Sequence, residues 1–323
     1  MSPTSWDLAP PPPSDLGDRD VPLLGQHLVG RRIALLVTGG IAAMKAPLLA
    51  RALRKEGADV VAFASREALR YVAEDALHWS TRQPVVTQLS PLAEHLSDDS
   101  PFDAFLVAPA SYNTINKLAA GIADTVVTAP LAGALGRMEQ GRCAVLVAPT
   151  MHGSMHNRIL TTSLQRLDEL GVRLIPPRPG YGKHNIPHED ALVAEVVRAL
   201  SASRLRGQEV AVLGPTTAPD PHLGHQVPLQ RAELGNAIAR ELWMRGADVT
   251  LVGSPGAPPP RPPLQAEAFA PGTFPLTRLL VTWTPLEPAP PVGQVFVLRD
   301  VPPEGTPESQ AAVLVDRIEA AVV

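Results

Sequence analysis

Two kinds of hydrophobic run alternate along this chain. Ile33–Thr38, Asp59–Ala64, Ala104–Ala108 and Cys143–Ala148 are short, nearly continuous apolar stretches, the pattern of strands buried on both faces. Between them lie segments of helical period. Over Ala42–Glu56, the apolar positions Ala43, Pro47, Leu48, Ala50 and Leu53 fall on one side, Arg51, Arg54 and Lys55 on the other, and Gly57 is a C-cap candidate. Arg66–Glu74, Ser111–Ile122, Met155–Leu170 and His188–Leu200 read as further helices, and Val172–Ile175 as a short strand. Strands alternating with helices predict βαβ units, parallel pairing and right-handed crossovers. The fold class expected is α/β: a doubly wound parallel-sheet domain followed by a smaller α/β domain.

The second domain opens with a strand over Glu209–Leu213, a loop containing Gly214, Pro215, Thr216 and Thr217, a helix over Ala232–Arg245 and a strand within Gly246–Val252. Its Gly-Ala-Asp-Val corner repeats the one at Gly57–Val60. Two readings stay open, a second nucleotide-binding-like βαβ unit or a common helix-to-strand corner. Beyond Ser254 prolines crowd the chain and exclude long helices until Thr306–Val322, which reads as a terminal helix. The expected organisation is an extended or disordered arm over 1–29, a first domain over 30–203, and a second over 204–323 with a Pro-rich insertion.

Composition narrows the classes. The chain has 323 residues, 45% hydrophobic and 4% aromatic, so a sizeable core would be mostly aliphatic. A net charge of −4 without a long basic run does not favour nucleic acid. The single cysteine, Cys143, excludes a disulfide framework and a Cys-based zinc site within the chain, and fits a cytoplasmic protein. No stretch approaches the roughly 20 apolar residues of a membrane span. The N-terminal arm, with Pro10 to Pro13, lacks the pattern of a secretory signal. No His-Glu-x-x-His metalloprotease motif occurs, so no metal is expected.

Three loops could carry chemistry. Thr38-Gly-Gly-Ile-Ala-Ala43 joins a strand to a helix, and its glycines allow close backbone approach to a phosphate at the helix N-terminus. It is neither a dinucleotide fingerprint nor a Walker loop. Pro109-Ala-Ser-Tyr-Asn-Thr114 follows another strand and offers Ser111, Asn113 and Thr114, any of which could instead be an ordinary helix cap. Two such loops can lie side by side at the carboxyl edge of a parallel sheet, where α/β proteins bind phosphorylated cofactors. In Pro149-Thr-Met-His-Gly-Ser-Met155, Met151 and Met155 could wall a pocket with His152 reaching in, or could simply pack on the core. His95, just before a strand, could serve as an acid or base, or be a plain surface histidine.

These motifs, in this order, resemble those of the FMN-dependent cysteine decarboxylases, specifically the phosphopantothenoylcysteine decarboxylases of coenzyme A biosynthesis. The likeness covers about Gly30 to Leu200. Val37–Pro47 looks like the family's opening loop, His95 its active-site histidine, Pro109–Thr114 its Pro-Ala-Ser-Ala-Asn-Thr signature, and Pro149–Met155 its Pro-x-Met-Asn-x-x-Met signature. The resemblance implies FMN, with Gly39, Gly40, Ile41, Ala42 and Ser65 at its phosphate and Ala110, Ser111, Asn113 and Thr114 completing the site. It implies a small cysteinyl substrate, gripped by Asn113, Met151, His152 and Met155, and a homotrimer or assembly of trimers. The implied reaction is decarboxylation of 4′-phospho-N-pantothenoylcysteine. Oxidation at the sulfur-bearing carbon gives a thioaldehyde, an electron sink from which CO2 can depart.

Two departures stand out. His152 occupies the position of the signature's asparagine. The family's Cys-Gly-Asp segment is replaced by Gly180–Pro187, where Lys183 is the nearest candidate acid. The predicted catalytic set is therefore His95, His152 and Lys183. The second domain resembles, faintly, the phosphopantothenate–cysteine ligase often fused behind such decarboxylases. It lacks the expected lysine and serines, and the last lysine in the chain is Lys183, which implies a degenerate relative without ligase activity. The rivals are a non-catalytic or repurposed FMN-binding protein and a prenyltransferase-type FMN protein.

Overall fold

The computed structural model describes residues 10, 12–91, 100–213, 226–252, 264, 266–267, 279–283, 293–298, 301–302 and 304–322. Strands β1 (Arg32–Val37), β2 (Asp59–Ala64), β3 (Ala104–Ala110), β4 (Ala144–Pro149) and β6 (Arg173–Leu174) form one parallel sheet in the order β2-β1-β3-β4-β6. Its residues alternate between two cores, as period-two geometry requires. Ile33, Leu35 and Val37 face Leu49 and Leu53 of α1 (Ala46–Lys55), Leu77 of α2 (Glu74–Thr81) and Val196 of α6 (Glu189–Leu200). Ala34 and Leu36 face Ile115 of α3 (Tyr112–Ala119), Leu131 of α4 (Thr128–Glu139) and Leu160 of α5 (Arg158–Glu169). Helices therefore cover both faces, and the sheet is doubly wound.

Strands β9 (Glu209–Leu213), β10 (Asp248–Val252), β11 (Ala266–Glu267), β12 (Leu279–Thr282) and β13 (Gln294–Val297) make a second parallel sheet, ordered β11-β10-β9-β12-β13. Ile238 and Leu242 of α7 (Gln226–Met244) and Leu314 and Ile318 of α8 (Pro307–Ala321) pack on it. The loop Gly214–Thr217 lies outside the described residues. The C-terminal end of α7 docks on the first unit. Met244 joins the core beneath α1 and α6, and Arg198 donates from Nη1 to the carbonyls of Trp243 (2.7 Å) and Ala247 (2.6 Å).

Several elements differ from the sequence expectation. The helix expected over Ala42–Glu56 is a 3-10 segment, Ile41–Lys45, running into α1, and Leu48 sits on the exposed side because Ala46, Leu49, Ala50 and Leu53 take the buried one. Arg66–Glu74 holds only a 3-10 turn, Ala68–Arg70, and the helix begins at Glu74. The helix expected from Met155 begins at Arg158, after a 3-10 turn over Gly153–Met155, because the Asn157 side chain caps it. Helix α4 has no counterpart in the sequence reading, since its Ala- and Gly-rich run lacks a sharp polar face. The short strands β11, β12 and β13 were likewise masked by the prolines around them.

Candidate active site

Adjacent strands β1 and β3 send their connections to opposite sides, β1 through α1 to β2 and β3 through α3 to β4. The order is the flavodoxin-like one, in which a crevice opens at the carboxyl ends of these two strands. Both Gly39-Gly40 and Pro109–Thr114 leave the sheet at that crevice. Buried Thr38 clasps them: its Oγ1 donates to the Pro109 carbonyl (2.7 Å) and accepts from the Ser111 N–H (2.9 Å).

Each predicted cofactor residue has a definite setting. A Cβ at Gly39 would lie 2.5 Å from Glu67 Cβ and 3.3 Å from the Glu67 carbonyl carbon, so this glycine lets the loop after β2 pack against the loop after β1. Gly39→Ala is expected to push these loops apart and lower flavin retention by about tenfold, read from absorbance after desalting. At Gly40 a Cβ would meet nothing within 4 Å, so the backbone borders open space. Ile41 is exposed and Ala42 half-buried in the 3-10 segment that starts here. Ser65 Oγ accepts from Ala68 N–H (3.1 Å) at the exit of β2. Ala110 is buried. Ser111 caps α3, accepting from Thr114 N–H (3.4 Å), and its hydroxyl lies 3.1 Å from buried Thr114 Oγ1. The capping reading therefore holds for Ser111, while Asn113 is exposed and plays no part in the cap. Open backbone at Gly40 with hydroxyls at Ser65, Ser111 and Thr114 fits a phosphate-bearing cofactor at this edge.

A small antiparallel sheet overhangs the same edge. Thr150 N–H donates to the Ala110 carbonyl (3.0 Å), leading into β5 (Met151–His152), which pairs with β8 (Lys183–Asn185), itself paired with β7 (Arg178–Gly180). The β7–β8 turn is Tyr181 (φ 51°) and Gly182 (φ 63°), the two-residue turn with both φ positive that suits a tight hairpin. A Cβ on Gly153 would stand 2.2 Å from the Gly182 carbonyl oxygen, so only glycine lets the flap close on this loop. Directly paired residues share a face. Met151 and His184 form one pair, and the exposed His152 and Lys183 the next, on the opposite face. Met151 packs into the core, whereas Met155 is exposed. His152 Nδ1 accepts from Ser154 N–H (3.2 Å), capping the 3-10 turn, and Nε2 has no partner among the described residues. His95 lies outside the described residues. Sequence reasoning missed both the Thr38 clasp and the hairpin; a Tyr-Gly pair between short polar runs was the available signal for the second.

Cys143 immediately precedes β4, at the sheet's amino end and thus opposite the crevice. Burial, only partly offset by Arg137, raises its thiol pKa. A cavity of about 1140 Å³, lined by His27, Glu56, Arg240 and Glu241 among others, lies between the two units and touches none of the strand-exit loops. Among the described residues no helix is long and apolar enough to cross a membrane, and no cluster of three His, Cys, Asp or Glu could hold a metal.

Residues 24–201 match the family described as Flavoprotein. The chain is 34% identical over 241 residues to the coenzyme A biosynthesis bifunctional protein CoaBC of Thermococcus kodakarensis, spanning 72% of this chain and 58% of that protein. It is 30% identical over 241 residues to the CoaBC of Mycolicibacterium smegmatis, spanning 69% and 56%. The chain thus spans less than two thirds of the length of these relatives. Among solved structures, a PPC decarboxylase mutant complexed with pantothenoylaminoethenethiol is similar at TM-score 0.42 and 25% identity, over 51% of this chain and 96% of that one.

Proposed function

The chain belongs to the flavoprotein family through residues 24–201, and on that premise we propose that it binds FMN and decarboxylates a cysteinyl substrate, 4′-phospho-N-pantothenoylcysteine. The observation that carries this reading is the β1/β3 crevice, with the Gly39-Gly40 and Pro109–Thr114 loops clasped by Thr38. Backbone around Gly39 to Ala42 and the Ser65 hydroxyl would hold the phosphate; Ala110, Ser111, Asn113 and Thr114 would complete the flavin site. When bound, FMN supplies a two-electron acceptor for the sulfur-bearing carbon. The Nε2 of His152 would donate to the substrate carboxylate, with Met155 against its apolar part. Lys183, paired across the flap from His152, would return a proton, the task of the family's absent cysteine. His95 would orient the substrate or act as base.

Ile41, Met44 and Leu48 are 70%, 60% and 60% exposed and recur at helical spacing beside Gly40. An apolar stripe at the cofactor edge suits self-association, and a homotrimer or assembly of trimers is the proposed state, in the cytoplasm. The unit over 204–323 is proposed to be a degenerate ligase-like domain.

The test is the visible spectrum of the full chain before and after anaerobic addition of 4′-phospho-N-pantothenoylcysteine, with CO2 followed by mass spectrometry. Flavin bands with CO2 release are expected. His95→Asn should keep the flavin and lose at least a hundredfold in rate; full activity would remove His95 from the mechanism. Flavin without CO2 from any cysteinyl acid would leave a repurposed flavoprotein. Alkylation of reduced flavin by a dimethylallyl phosphate would indicate the prenyltransferase type.

A further inference from the structure

The flap presents basic side chains on both of its faces with no carboxylate beside them among the described residues. Thr150–Leu167 and Gly171–His188, which include the whole flap and all but the last two residues of α5, contain no aspartate or glutamate; those last two residues are Asp168 and Glu169. The two segments carry His152, His156, Arg158, Arg166, Arg173, Arg178, Lys183, His184 and His188. None of His152, His156, Lys183 and His184 has a carboxylate within ion-pairing distance among the described residues.

These four groups fall into two pairs. His152 and Lys183 stand opposite one another on the exposed face. His184, half-buried, shares its face with buried Met151, and the His156 ring packs edge-on against it with centroids 4.8 Å apart. His156 ends the 3-10 turn Gly153–Met155, and the next residue, Asn157, is hydrogen-bonded by Tyr112 Oη (3.3 Å) at the start of α3. The second pair is thus tied to the start of α3. Neither imidazole of this pair has a hydrogen-bond partner among the described residues, so its N–H groups are free to donate. Two uncompensated pairs on opposite faces of one three-stranded ribbon suit a ligand with two separated anionic groups. In the phosphorylated cysteinyl substrate the extended pantothenoyl arm separates the carboxylate from the phosphomonoester.

We propose that His156 and His184 form an anion site for the substrate's phosphomonoester, separate from the His152–Lys183 pair that faces its carboxylate. This rests on the decarboxylase reading of the same site and names the residues that would make the protein prefer a phosphorylated cysteinyl substrate over its dephosphorylated counterpart. Charge-assisted bonds from two imidazoles to one phosphate supply that preference.

The experiment compares the full chain with His156→Gln, His184→Gln and the double variant. One readout is the ratio of kcat/KM for 4′-phospho-N-pantothenoylcysteine to that for N-pantothenoylcysteine. The other, independent of turnover, is the ratio of affinities for 4′-phosphopantetheine and pantetheine by calorimetry. The double variant is expected to lower both ratios by about tenfold or more, mainly through KM. Equal losses for phosphorylated and unphosphorylated ligands, or a wild-type protein that shows no preference, would overturn the proposal. If the wild type releases CO2 from neither substrate, the decarboxylase reading fails, and the calorimetric ratio alone decides whether the imidazole pair reads phosphate.

Discussion

Thr38→Val is expected to strip FMN from the protein and to destabilise it by about 3 kcal/mol, while Thr38→Ser stays close to wild type. Valine keeps the shape of threonine, so packing beneath the loops is preserved. What disappears is one hydroxyl that donates to the Pro109 carbonyl and accepts from the Ser111 N–H. Pro109 is buried and Ser111 half-buried, so two backbone groups would be left poorly satisfied where water has limited access. Each such loss costs about 1–3 kcal/mol, and the damage falls on the contact that holds the Gly39-Gly40 and Pro109–Thr114 loops together. Flavin absorbance after gel filtration and a urea titration monitor the two effects separately. Full flavin occupancy and an unchanged midpoint in Thr38→Val would show that the loops are positioned by the sheet alone.

The strands of the first sheet were legible because burial on both faces writes a continuous apolar run, and Ile33–Thr38 and Ala104–Ala108 lie within one or two residues of β1 and β3. The strand-exit loops followed directly, since the cofactor edge of a parallel sheet is fixed by strand direction. Pairwise hydrogen bonding was not legible. Nothing in the spacing of Thr38 and Ser111 announces that they meet, because the contact is made by the adjacency of β1 and β3 and spans 73 positions. The flap was missed for a related reason: its strands are two or three residues long, too short for alternation to stand out. Met151 and Met155 show the same limit. Both are apolar and four apart, yet one enters the core and the other faces solvent, because a 3-10 turn breaks the helical spacing between them. The second sheet, by contrast, answers to topology. Its order β11-β10-β9-β12-β13 is that of a dinucleotide-binding sheet, which bears on the nucleotide-like reading of the Gly246–Val252 corner more than the corner's own residues do.

His27→Gln is expected to cost about 3 kcal/mol and to remove a pH-dependent part of the stability that joins the two units. His27 lies between them. Its Nδ1 is 2.7 Å from Glu56 Oε2, just past α1, and its Nε2 is 3.0 Å from Glu241 Oε2 on α7. Burial opposes the charged imidazole, but hydrogen bonds and attraction from Glu241 and Glu56 outweigh it and raise its pKa to about 10. Glu241 is shifted down: burial would raise its pKa, and His27 and Arg245 more than offset that. Arg245 extends the chain of charges to Glu319 (2.9 Å) and Asp316 (2.7 Å) on α8. With the folded-state pKa of His27 above the ordinary imidazole value near 6.5, its contribution is complete at and below that pH. It is lost progressively as pH rises toward 10. The Glu241 contribution runs the other way, present above the ordinary carboxylate value near 4.3 and lost on acidification through the lowered one. The difference in unfolding free energy between wild type and His27→Gln should therefore be largest between about pH 5 and 6.5 and shrink steadily toward pH 10. A difference that stayed flat from pH 6.5 to 10 would mean that His27 joins the units as a neutral hydrogen-bonding ring, with Arg245 alone compensating the buried Glu241 carboxylate.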